Sequence, residues 1–121
     1  MSRRVVVTGI GIISPLGIGI EENWSAIING RSGIGPITRF DVESFPVKFA
    51  GEVKGFDAEQ YMEHKEVKKM DRFIHFAVAA SEQALKDSGY KITEKNADRI
   101  GVQVGVGLGG LPAIEKYHNI Y

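Results

Sequence analysis

A glycine-rich turn near the end of the chain is the first candidate for a ligand site. The residues Gly105–Gly110 have the form G-x-G-x-x-G, and Pro112 follows them at a position suited to the first turn of a helix. In a strand–turn–helix unit, this spacing is typical of loops that hold the pyrophosphate of a dinucleotide. The glycines could equally serve close packing, because glycine leaves room where two backbones approach. A dinucleotide-binding oxidoreductase domain is therefore one hypothesis.

A second candidate is a cluster of positive charge in the segment KEVKK. Lys65, Lys68 and Lys69 lie close enough in sequence to share one surface of a helix or turn. Such a cluster is often only a solvated face, but it can also attract an acidic partner, mainly by raising the association rate. The residues alone leave both interpretations open.

Groups that could perform catalysis or bind metal are not recognisable in this sequence. His64, His75 and His118 lack metal-ligand spacing, and no H-E-x-x-H, phosphate-loop or G-x-S-x-G pattern occurs. The chain has no cysteine, which excludes disulfides, thiolate metal sites and a cysteine nucleophile within these residues. We predict no catalytic residue, metal site or cofactor here. His75, inside a helical pattern, is interpreted as a hydrogen-bonded packing residue.

The composition is that of an ordinary globular domain. The chain has 121 residues, of which 43% are hydrophobic and 25% charged. Fifteen acidic residues balance fifteen basic ones, so no global field favours nucleic acid or a membrane surface. No apolar run is long enough to span a bilayer. The absence of cysteine fits a cytoplasmic protein.

The elements that must position these groups follow from hydrophobic periodicity. Alternating Val102, Val104 and Val106 predict a central strand packed on both faces. A broad apolar face predicts a long buried helix, with Gly89 as its C-terminal stop. Asp57 is predicted to cap a short helix. The predicted elements are strands over Arg4–Ile13, Val47–Val53 and Arg99–Val106, a turn over Ser14–Gly17, a loop over Arg31–Asp41, and helices over Glu21–Asn29, Asp71–Ser88 and from Pro112.

This order favours an α/β fold in which the long helix crosses between parallel strands. Only two of the predicted strands are strongly patterned, which is a thin basis for an independent domain. The long helix also has apolar residues on more than one side. We therefore interpret the chain as one part of a larger layered structure.

Four segments in a fixed order carry a family resemblance. They are Arg4–Gly17 (RVVVTGIGIISPLG), Gly30–Phe40 (GRSGIGPITRF), Lys69–Arg72 (KMDR) with the helix after it, and Arg99–Leu111 (RIGVQVGVGLGGL). Together they resemble the N-terminal part of the β-ketoacyl-acyl carrier protein synthases, especially type II of bacterial fatty acid synthesis. The resemblance implies an α/β, thiolase-like fold with five α-β-α-β-α layers, and a homodimer. Residues 1–121 would be an incomplete N-terminal portion, the start of the first half.

The resemblance also implies a reaction and two sites. The reaction is a decarboxylative Claisen condensation of malonyl-acyl carrier protein with acyl-acyl carrier protein, giving a 3-oxoacyl product. The family's nucleophilic cysteine and catalytic histidines match no position here, so these residues alone are expected to be inactive. Gly107 and Leu108 match an acyl-pocket segment, and Lys65, Lys68 and Lys69 match a dock for the acidic carrier protein. A non-catalytic module that binds the carrier protein is the remaining alternative.

Overall fold

The computed structural model describes residues 3–120, which form four α-helices and two small antiparallel sheets. Two single turns of 3-10 helix, Ala58–Gln60 and Ala97–Arg99, lie between the longer elements. The strands are β1 (Ile13–Ser14), β2 (Gly17–Ile18), β3 (Ile34–Pro36) and β4 (Phe49–Gly51), and the helices are α1 (Ile20–Ile28), α2 (His64–Val67), α3 (Arg72–Ser88) and α4 (Leu111–His118).

The first hairpin is held by one buried side chain of α1. β1 pairs with β2 through the predicted turn over residues 14–17, which is confirmed. The Asn23 amide donates to the carbonyls of Gly17 at 2.9 Å and Gly19 at 2.8 Å, and its oxygen accepts from the Ser14 hydroxyl. These bonds add to the backbone pairing of a hairpin whose strands are only two residues long. The predicted helix over residues 21–29 is also confirmed, with Gly30 at a φ of +62° after its end.

The second sheet lies partly where a loop was predicted. β3 pairs with β4 in antiparallel register, with Gly35 opposite Ala50. β4 confirms the centre of the predicted strand over residues 47–53, whereas β3 falls inside the predicted loop over residues 31–41. The loop prediction was wrong there because glycine and proline in Ile34–Pro36 hide the alternation that marks a strand. Beyond the sheet, Thr38 donates its amide and hydroxyl to the Glu52 carboxylate at 3.1 and 2.7 Å.

Helix α3 is the longest element and agrees with its prediction. It spans 17 residues and is followed by Gly89, whose φ of +64° is the left-handed conformation that glycine adopts without strain. Its N-terminal residue Arg72 donates to the Val53 carbonyl at 3.1 Å and lies 5.1 Å from the centre of the Phe76 ring. Partial burial lowers the pKa of Arg72. These contacts fix the start of α3 against the segment that follows β4.

Residues 4–12 do not form the predicted strand, and residues 9–12 run alongside α3. Only Ile13 of that predicted strand belongs to a sheet among the described residues. The backbone N–H groups of Ile10 and Ile12 donate instead to Asp87 Oδ2 at 2.9 Å and Gln83 Oε1 at 3.1 Å on α3. The prediction of a strand over residues 4–13 was wrong because side chains of a helix, and no neighbouring strand, accept these bonds.

Residues 100–106, which we call the valine segment, also do not form the strand that was predicted for them. Residues 100–106 belong to no sheet among the described residues, and Val102 is 82% exposed. A Cβ added to Gly101 or Gly105 would meet nothing within 4 Å. The predicted central strand, packed on both faces, was therefore wrong for residues 3–120, and so was the parallel crossover. An alternating sequence forms a strand only where a second strand completes the hydrogen-bond ladder.

Little of the described chain is fully buried. The buried apolar residues are Ala26, Ala58 and Ala79, and large side chains such as Trp24 and Ile28 on the outer face of α1 are more than half exposed. Within residues 3–120, none of the helices combines the length and the apolar character needed to cross a bilayer. The elements therefore pack through close backbone contacts more than through a large hydrophobic core.

Candidate functional site

The glycine turn connects the valine segment to α4. Gly107 and Leu108 form a bend, and Gly110, with a φ of +74°, is the residue before the first turn of α4. The helix begins one residue before Pro112, so the predicted start is confirmed to within a residue. The Leu108 side chain is 76% exposed.

An apolar groove, which we call the valine groove, lies between the valine segment and α3. Its volume is about 390 Å³. Its lining is hydrophobic apart from one serine, so it suits a hydrocarbon group better than a charged one. Gly107 and Leu108 do not line it; the residues that do are Phe73, Ile74, Ala77, Val78, Ser81, Val102, Val104 and Val106.

The start of α4 is a poor place for a diphosphate. A Cβ on Gly109 would lie 3.0 Å from the Phe73 ring, so this glycine serves close packing. A Cβ on Gly110 would lie 3.0 Å from Asp71 Oδ2. A carboxylate already at this helix end would repel the negative charge that a dinucleotide brings. The geometry favours the packing interpretation of the glycines over the dinucleotide hypothesis.

The three lysines of the predicted dock lie along one helical turn. Lys65 belongs to α2, and Lys68 and Lys69 follow its end. All three are exposed, and Lys69 Nζ is 2.8 Å from Glu66 Oε1. The structure therefore brings these cations to one region of the surface, which the spacing predicted.

A second cavity, which we call the lysine cleft, lies where α4 faces the junction of α2 and α3. Its volume is about 650 Å³, and Lys116 of α4 lines it together with Lys68 and Lys69. Lys116 was not predicted from the sequence, because it is remote in the chain from the other two lysines. The only signal available was its place on a predicted helix directly after the glycine turn.

The histidines lie in different surroundings. His75 Nε2 is 3.1 Å from the Val67 carbonyl, which confirms its interpretation as a hydrogen-bonded packing residue. His64 Nδ1 is 2.5 Å from Glu59 Oε1 at the surface, and His118 lies in the last turn of α4. Among residues 3–120, no three histidine or carboxylate side chains are grouped closely enough to hold a metal ion.

The chain belongs to the β-ketoacyl synthase family. A family model described as the β-ketoacyl synthase N-terminal domain matches residues 2–120. This match confirms the family resemblance carried by the four sequence segments. The α/β, thiolase-like fold class is confirmed as well, since a solved ketosynthase/chain length factor for ishigamide superposes with a TM-score of 0.67 at 44% identity. That likeness covers 78% of this chain and 23% of the other.

Relatives with curated names are similar over nearly the whole chain. The 3-oxoacyl-[acyl-carrier-protein] synthase 2 of Synechocystis sp. is 52% identical over 118 residues, which is 98% of this chain. The protein of the same name from Vibrio cholerae is 54% identical over 116 residues, or 96% of this chain. The chain spans about 28% of the length of both relatives.

Proposed function

We propose that this chain is the beginning of a 3-oxoacyl-acyl carrier protein synthase. The complete protein would condense malonyl-acyl carrier protein with an acyl-acyl carrier protein in fatty acid biosynthesis, with loss of carbon dioxide and extension of the acyl chain by two carbons. The observation that carries this proposal is the 52% identity to a synthase of this name over 98% of the chain. We infer a cytoplasmic homodimer, in keeping with the resemblance.

The chemical step requires groups that these residues do not contain. The proposed reaction passes through an acyl chain bound to a cysteine thiolate, and the 121 residues include no cysteine. We therefore assign the nucleophile and its histidine partners to polypeptide outside them. The contribution of this chain is to bind: one surface for the alkyl chain and one for the carrier protein.

Leu108, beside Gly107, is the residue that we propose as a wall of the acyl pocket. Its exposed side chain follows a segment whose valines already line an apolar groove. An aliphatic side chain next to glycine offers a smooth surface to a hydrocarbon and no partner to a phosphate. In this position its volume would limit the length of alkyl chain that the pocket admits.

The experiment changes Leu108→Phe in the complete protein that carries this chain. Additional volume in a packed pocket is costly, so the longest accepted acyl chains should lose about tenfold in kcat/KM. Chain lengths of the products are measured by mass spectrometry. Leu108→Ile, which keeps the volume, is the matched control and should leave the profile unchanged. A product profile that is the same in all three proteins would contradict the pocket assignment.

A second candidate is a non-catalytic partner subunit that sets chain length. The solved structure that is 44% identical pairs a ketosynthase with a chain length factor, so likeness to this fold alone does not separate the two roles. Trapping the complete protein with a radiolabelled acyl thioester distinguishes them. A synthase retains label as an acyl-cysteine, whereas a chain-length partner without the nucleophile retains none.

A further inference from the structure

The lysine cleft has cations on both of its walls. Lys68 and Lys69 lie on one wall, at the junction of α2 and α3, and Lys116 lies on the other, in the last turn of α4. The Lys116 ammonium is 6.0 Å from the centre of the neighbouring Tyr117 ring. The two walls belong to elements far apart in the chain, and the fold places their charges around one space.

The charges in the lysine cleft are only partly balanced. Within residues 3–120, Lys68 and Lys116 have no carboxylate partner within 4.0 Å, whereas Lys69 pairs with Glu66. Asp71 is the one acidic residue of the lining. The whole chain has a formal net charge of +0, so this excess is a local feature. Local charge of one sign in a concave surface concentrates ligands of the opposite sign.

The remainder of the lining indicates the kind of ligand. The cleft is also lined by Phe73, Ile74, Pro112 and Tyr117, whose side chains are largely apolar. A lining that combines basic and apolar side chains matches a protein segment that presents a few hydrophobic residues together with carboxylates. A small inorganic anion would pair with the lysines and leave the apolar side chains uncovered.

We propose that the lysine cleft receives an acidic segment of the carrier protein, and that Lys116 is a docking residue on its second wall. This inference rests on the proposed function, since it extends the dock of Lys65, Lys68 and Lys69 across the cleft. Carboxylates of the partner pair with Lys68 on one side and Lys116 on the other. The partner is thereby oriented by charge on two sides.

The test measures binding of acyl carrier protein to the complete protein by isothermal titration calorimetry. Lys116→Glu reverses the charge on α4 and should weaken binding about fivefold at low salt, and Lys116→Gln about twofold, as expected for one exposed ion pair. Lys65→Glu tests the part of the dock outside the cleft, because Lys65 does not line the cleft. Lys95→Glu, beyond the far end of α3, is the matched charge control. Far-UV circular dichroism verifies that the variants keep the secondary structure of the parent protein.

The possible results distinguish a role of the lysine cleft in binding from a role of the dock formed by Lys65, Lys68 and Lys69. Weaker binding for Lys116→Glu and Lys65→Glu, with Lys95→Glu unchanged and the losses reduced by salt, supports the proposal. A loss for Lys65→Glu alone overturns the role of the cleft and leaves the dock in place. Unchanged binding in every variant overturns the dock as well. Inorganic phosphate that binds the parent protein but not Lys116→Glu, with carrier-protein binding unchanged in that variant, makes the cleft a small-anion site and also overturns the proposal.

Discussion

Asn23 illustrates how much of this fold depends on single side chains. It is the largest fully buried side chain among residues 3–120, at 2% exposure, and its amide and oxygen are all paired. A polar group buried with full hydrogen bonding fixes one geometry, since every displacement leaves a donor or acceptor unpaired. The geometry that it fixes is the first hairpin.

The carboxylate of Glu52 is held in a comparable way at the surface. The Thr38 hydroxyl, followed by the Thr38 amide, donates to it, and these bonds lower the pKa of Glu52 below its ordinary value. Because folding lowers the pKa of Glu52, these hydrogen bonds stabilise the folded protein at pH values above the pKa that Glu52 has in the unfolded chain. The stabilisation is lost as the pH falls through the lower, folded pKa.

Replacement of Thr38→Val tests this interaction. Valine keeps the shape and the backbone N–H but removes the hydroxyl, which is the larger cause of the shift. We expect the pKa of Glu52 to rise toward its ordinary value, and the acid limit of stability to move to higher pH. Titration of the Glu52 carboxyl carbon by NMR measures the change. Thr38→Ser, which retains the hydroxyl, should titrate like the parent, and equal pKa values in all three proteins would refute the assignment.

The residue roles that the sequence predicted correctly are those that depend only on neighbouring residues in the chain. The cap at Asp57, whose side chain accepts from the Glu59 amide at 3.0 Å, and the stop at Gly89 were both predicted. Each depends on a few adjacent residues and on backbone preferences that are the same in any protein. The role of Asn23 was not predicted, because an asparagine within a helix has no distinctive pattern until its distant partners are known.

At the scale of elements, α3 organises the described chain. Residues 8–12 lie directly against it, and a Cβ on Gly11 would overlap the Ala80 carbonyl oxygen and lie 2.8 Å from the Ala84 nitrogen. A Cβ on Gly9 would lie 2.6 Å from the Ser88 nitrogen. The glycines of this segment therefore serve backbone contact with a helix, and the alanines of α3 provide the matching flat surface.

Replacement of Gly11→Ala should consequently be severe. The added methyl group meets helix backbone, which cannot rotate away as a flexible side chain could, so we expect a loss of about 3 kcal/mol in the free energy of unfolding. Gly35→Ala is the matched control, because a Cβ there meets nothing within 4 Å and the residue has no positive φ. Urea denaturation of the complete protein that carries this chain measures both. Similar midpoints for the two variants would show that residues 8–12 do not pack on α3 in this way.

Element type was predicted better for helices than for strands. A helix satisfies its own hydrogen bonds, so the pattern of α3 sufficed to place its ends within one residue. A strand needs a partner, and the apolar alternation of Val102–Val106 does not say where that partner lies. The candidate site was likewise predicted only where it depends on residues close together in the chain. The lysine spacing placed three cations together, whereas the lysine cleft arises only when α4 packs near α2 and α3.

At the scale of the whole molecule, the accessible surface is much larger than that of a compact monomer. It measures 10325 Å², whereas about 6,500 Å² is expected for a compact protein of this size. The excess includes large apolar side chains on two unpaired extended segments, among them Val5 at 93% and Val7 at 81% exposure. Surfaces of this kind bury themselves against another protein surface when one is present.

The 121 residues, produced by themselves, should therefore bind hydrophobic dye and associate. We expect strong fluorescence of anilinonaphthalene sulfonate and a sedimentation coefficient that rises with concentration, because exposed strand edges and apolar patches pair between copies. The complete protein that carries the chain, compared at equal molar concentration, should bind little dye, since its additional residues would cover the valine groove. Substituting Val102→Lys and Val104→Lys in the short chain places charge on the exposed segment and should reduce its association. A short chain that stays monomeric, binds no dye and unfolds in one cooperative transition would mean that residues 3–120 already cover their apolar surface.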